Sequence, residues 1–61
     1  MLPVYNVVMT NFAITRYTGN DLDEARSAAV KTGFECYIIQ DGEIIQSYSP
    51  ISGWRKYAVL N

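Results

Sequence analysis

Asp21, Asp23 and Glu24 crowd three carboxylates into one short stretch. Acids this close can divide the roles of general acid and general base. The same spacing also has a structural meaning. Asp21-Leu22-Asp23-Glu24 has the form of a capping box, with Asp21 as N-cap and Glu24 reaching back to it. Capping accounts for all three acids, so none is assigned to catalysis. Asp41 and Glu43 flank a turn glycine, where a metal site would be shallow and weak. Cys36 is the sole cysteine, and it falls within a β-rich run on the side assigned to the core. A reactive thiol needs exposure and a nearby positive group, so Cys36 reads as structural.

Trp54-Arg55-Lys56-Tyr57 sets two cations between two aromatics, the side chains that stack on bases and neutralise phosphates. The rest of the chain argues against nucleic acid. The net charge is -1 and the isoelectric point is near 5.0, whereas a basic patch is the expected footprint. Trp, Arg and Tyr also lead the residue types that anchor protein interfaces, and that reading of Trp54 and Arg55 is preferred.

Several chemistries are closed by inventory. Without His there is no Ser–His or Cys–His pair, and one Cys cannot complete a four-ligand zinc site or an internal disulfide. The four glycines stand singly at 19, 33, 42 and 53, so no phosphate-cradling loop exists. No cofactor, metal or catalytic residue is expected, and no enzymatic activity. No apolar run is long enough for a membrane span. Met1 to Asn6 lacks the basic start of a signal peptide. A cytoplasmic protein with no membrane partner is the expectation.

These side chains must be held by very little chain. Sixty-one residues make one domain, 1–61. A domain of about 60 residues buries only about 60% of the surface its unfolded chain exposes. The clearest element is a helix from Leu22 to Thr32, opened by Asp21 and stopped by Gly33, with Phe34 folding back on Ala29. Leu22, Ala25 and Ala29, with Ala28 at the edge, give it a modest apolar stripe.

Asp41-Gly42 joins 35–40 to 43–48 as a hairpin, since Asp-Gly suits the positive φ of a type I′ turn. That turn pairs Gln40 with Glu43, Ile39 with Ile44, Ile38 with Ile45 and Tyr37 with Gln46. Phe34, Cys36, Ile38 and Ile45 then face the helix, while Tyr37, Ile39, Ile44 and Tyr48 face away. Two further runs read as strand. Residues 4–17 form a bent strand or a hairpin; the bent strand is favoured because neither Thr10 nor Asn11 is glycine. Pro50 ends the second hairpin strand, Gly53 permits a reversal, and 57–60 can add a short edge strand.

The expected fold is α+β, a small antiparallel-rich sheet of three to four strands with one helix on one face, in the order β(β)αββ(β). One short helix cannot cover both apolar sheet faces. The expected function follows from that surplus: a small non-enzymatic protein-binding module acting through Tyr37, Ile39, Ile44, Tyr48, Trp54 and Arg55. The partner is another protein or a second copy in a homodimer. Two other readings stay open, a nucleic-acid binder using 54–57 and a small subunit of a larger assembly. In general plan alone, without any shared residue signature, the chain is similar to small bacteriophage proteins that block host enzymes or defence factors. That likeness implies an inhibitor or adaptor.

Overall fold

The computed structural model describes residues 2–57. Strands β1 (Tyr5–Met9) and β2 (Ile14–Gly19) precede helix α1 (Leu22–Thr32); β3 (Cys36–Gln40), β4 (Glu43–Ser49) and β5 (Gly53–Lys56) follow it. All strand pairs are antiparallel, in the order β2-β1-β3-β4-β5. The expected α+β class forms, but with five strands instead of three to four, because both optional strands are present.

Residues 4–17 are a hairpin, not the favoured bent strand. Tyr5–Met9 pairs back antiparallel on Ile14–Gly19, with Tyr5 opposite Gly19 and Met9 opposite Ile14. The reversal needs no glycine: Ala13 takes a φ of 52° and its N–H donates to the Met9 carbonyl at 2.8 Å. The resulting β1 hydrogen-bonds on both edges, to β2 and to β3. The last strand is also corrected, since it occupies Gly53–Lys56. Of the expected edge strand, Ala58, Val59 and Leu60 lie outside the described residues.

The Asp41-Gly42 turn forms as expected, with φ of 50° and 88°. Asp41 has a second role at the start of the chain. Its N–H donates to the Val4 carbonyl at 3.1 Å, and its Oδ1 accepts from the Val4 N–H at 3.3 Å. The expected pairs Gln40–Glu43 and Ile39–Ile44 are present, but a bulge then shifts the register. Ile38 pairs with Gln46 and Cys36 with Tyr48. A shift of one residue exchanges faces. Tyr48 is therefore carried to the helix side, and Gln46 is buried there beside Ile45, which packs half-buried against the core as expected.

Helix α1 begins and ends where its caps dictate. Asp21 Oδ1 accepts from the N–H groups of Asp23 and Glu24 at 2.9 and 3.2 Å, and Gly33 closes the helix at φ 71°. Phe34 follows the cap at the end of the helix. It is 47% exposed and packs edge-on against Phe12, with ring centroids 5.8 Å apart. Ala25 and Ala29 are fully buried against Val7, Met9, Cys36 and Ile38. Short alanine side chains let the helix approach closely, so the sheet supplies the bulk. Burying Val7 and Ile38 is worth about 1.5–3 kcal/mol each. The helix lies over β1, β2 and β3. The β4–β5 hairpin extends beyond it.

Candidate binding surface

Strand register decides which side chains share the face opposite the helix. Val7 and Met9 point into the core, so Asn6 and Val8 point away from it. Val8 lies opposite Tyr37 and Asn6 opposite Ile39. Across the next two pairings Ile39 faces Ile44, Tyr37 faces Ser47, and Ser47 faces Arg55. On the other side Val8 faces Thr15 and Asn6 faces Thr18. The Thr18 hydroxyl donates to Asn6 Oδ1 at 2.7 Å.

The open face thus has an apolar centre of Val8, Tyr37, Ile39 and Ile44. Threonine and asparagine border it on one side, serine and arginine on the other. None of the described elements covers it. Ile44 is 42% exposed, whereas Val8, Tyr37 and Ile39 are half-buried by their neighbours. Near Arg55 the face dips into a concavity that Tyr37, Ser47 and Tyr57 also line. There the hydroxyls of Ser47 and Tyr57 stand 3.1 Å apart.

The six expected binding residues do not form one surface. Tyr37, Ile39, Ile44 and Arg55 share the open face. Tyr48 and Trp54 are opposite each other on the helix side, their ring centroids 5.0 Å apart. The Arg26 guanidinium sits 4.6 Å from the centre of the Trp54 ring, a cation–π contact that joins the overhanging hairpin to the helix. Val8 and Asn6 belong to the open face and were missed. Their alternation with Tyr5, Val7 and Met9 is visible in the sequence, but nothing local says that β1 lies beside Tyr37. Strand alternation also divides 54–57: Trp54 and Lys56 point to the helix side, Arg55 and Tyr57 to the open face. The four cannot act as a single stacking platform.

The groups considered for chemistry have structural partners. Asp21 holds the helix cap, as above. Glu24 does not reach back to Asp21; its Oε1 accepts from the Tyr17 hydroxyl at 3.1 Å. That hydroxyl in turn accepts from the Asp21 N–H at 3.4 Å, completing the cap. Cys36 is fully buried, its Sγ 3.3 Å from Thr32 Oγ1. Among the described residues no three His, Cys, Asp or Glu side chains gather where they could hold a metal ion, and no helix is long and apolar enough to cross a membrane.

Fold and surface together define a two-layer antiparallel α+β protein with one face of its sheet bare among the described residues. Neither a protein-family model nor a curated protein nor a solved structure matches the chain.

Proposed function

We propose that this protein is a non-enzymatic binding module that takes a protein partner on its open sheet face. The observation that carries this reading is the apolar centre of Val8, Tyr37, Ile39 and Ile44, which no described residue covers and which polar side chains border. Protein interfaces share that arrangement, a desolvated apolar core inside a polar, wetter rim. Tyr37 is the anchor, because it combines a large apolar ring with a polar tip. Acting on a larger protein, such a module is an inhibitor or an adaptor. Packing face to face on a second copy, it is a homodimer. A cytoplasmic setting suits the unpaired Cys36 thiol.

The test compares the two faces of β3. Ile38→Ala empties a core position and should cost about 2–5 kcal/mol of stability. Tyr37→Ala should cost the isolated chain much less, while weakening partner binding by about 2 kcal/mol if Tyr37 is a hot spot. Denaturation midpoints at two protein concentrations read self-association. Affinity capture from a cell extract, wild type beside Tyr37→Ala, reads a heterologous partner. Equal destabilisation by Tyr37→Ala and Ile38→Ala at every dilution would show that both faces are core, and the reading would fall.

A further inference from the structure

Among the described residues each end of the sheet has an unpaired edge, and the two edges differ. The β2 edge is interrupted by a bulge at Arg16, between the pairs Val7–Tyr17 and Val8–Thr15. Bulges of this kind twist an edge away from further pairing. The β5 edge has no such interruption: Gln46–Lys56, Ser47–Arg55, Tyr48–Trp54 and Ser49–Gly53 follow in regular order.

The ladder also says which backbone groups of β5 are free. The Tyr57 N–H donates to the Ile45 carbonyl at 2.9 Å, so Ile45 and Tyr57 form a hydrogen-bonded pair. In an antiparallel ladder such pairs alternate with non-hydrogen-bonded ones. Ser47–Arg55 and Ser49–Gly53 are then the bonded pairs. Tyr48–Trp54 and Gln46–Lys56 are the others, in which side chains stand closer, as the contact between the Tyr48 and Trp54 rings reflects. The N–H and C=O of Trp54 and Lys56 therefore point outward, and among the described residues no strand receives them.

We infer that the β5 edge accepts an extended acidic peptide segment as a sixth, antiparallel strand. Main-chain bonds to Trp54 and Lys56 would hold the added strand, and side chains would select it. The strand Gly53-Trp54-Arg55-Lys56 carries two cations and no acid. Lys56 points to the helix side and Arg55 to the open face, so acidic residues at adjacent positions would meet one cation on each face. The position after them, opposite Trp54, would be apolar. The motif is acidic–acidic–apolar, read toward the peptide C-terminus.

A second copy of β5 does not fit. Antiparallel pairing through Trp54 and Lys56 would set Arg55 directly against Arg55 of the other copy, in a pair where side chains are close and like charges destabilise. Glu35, the acid that shares the concavity with Arg55, accepts from the Thr10 hydroxyl at 3.0 Å. This edge is a separate surface from the apolar centre of the open face, and the measurement below distinguishes them.

The experiment is an NMR titration of the whole protein with a capped heptapeptide centred on Glu-Glu-Leu, beside its Lys-Lys-Leu counterpart. The Glu-Glu-Leu peptide should bind preferentially and slow hydrogen exchange at the Trp54 and Lys56 amides, leaving the Arg55 amide, already bonded to β4, unchanged. The paired variant Arg55→Glu/Lys56→Glu should lose at least about tenfold in affinity, about 1.4 kcal/mol, and should now prefer Lys-Lys-Leu. Both positions are exposed, and circular dichroism checks that the variant folds. A peptide N-methylated at the bonding positions keeps its charge and should not bind. The inference is overturned if the N-methylated peptide binds equally well, if the charge-inverted peptide is not discriminated, or if shifts fall on Tyr37 and Ile39 instead. It is also overturned if a thymidine oligonucleotide binds more tightly than the peptide without protecting Trp54 and Lys56.

Discussion

Tyr17 ties the edge strand β2 to the first turn of α1 through a single hydroxyl. The hydroxyl accepts from the Asp21 N–H and donates to Glu24 Oε1. Partial burial raises its pKa above the ordinary 10.0, and the neighbouring Glu24 carboxylate adds to the rise, partly offset by the Asp21 N–H. In the unfolded chain the phenol loses its proton at lower pH than in the folded one. Its contribution to stability is therefore complete below the ordinary value and is lost as pH rises through the folded value. Denaturation midpoints measured from neutral to strongly alkaline pH should fall above pH 10 in the wild type and less steeply in Tyr17→Phe. An unchanged slope would show that Tyr17 is not the group responsible.

Gln46 presents the opposite case at the same scale. It is only 7% exposed, and its Oε1 has no hydrogen-bond partner among the described residues. A buried acceptor left unmade costs about 1–3 kcal/mol. Gln46→Met keeps the length of the side chain and removes the orphaned oxygen. Its unfolding free energy from chemical denaturation should rise by an amount in that range, and a fall would show that the amide is satisfied in solution.

Among elements, the β3–β4 hairpin sets the geometry of everything after the helix. Its turn fixes the first two pairs, and the bulge beyond them moves Tyr48 across the sheet. Gly42 holds φ 88° with open space where a Cβ would stand, so its requirement is conformational and not steric. Gly42→Val places a β-branched residue in the left-handed region and should cost about 1–3 kcal/mol. A melting temperature equal to wild type would mean the turn has rearranged. Thr10–Ala13 makes the N-terminal hairpin by another route, with Ala13 at positive φ. Alanine gives no local signal of that conformation, which is why the bent strand is the natural reading of 4–17.

At the scale of the molecule, one helix faces five strands. It lies over β1, β2 and β3, and the apolar side chains Ile45, Tyr48 and Trp54 of β4 and β5 pack against the margin of the core, with Arg26 over the Trp54 ring. The opposite face has no described layer at all. Among the described residues nothing covers that face and no strand pairs with the outer edge of β5.

Local rules were enough for the helix with both its caps, the Asp41-Gly42 turn, the α+β class, the burial of Cys36 and Ile38, and the outward side of Tyr37, Ile39 and Ile44. Each depends on interactions over a few residues, where capping, turn chemistry and alternation leave one solution. Tertiary structure decided the rest. The bulge after Ile44 has no sequence marker, because it balances core packing against strand pairing, and it alone determines that Tyr48 and Trp54 join the helix side. The placement of β1 between β2 and β3 is likewise a long-range choice: β1 and β3 are separated in the chain by a strand and a helix, so no short window of sequence encodes their contact. That choice sets Val8 beside Tyr37 and so creates the centre of the open face.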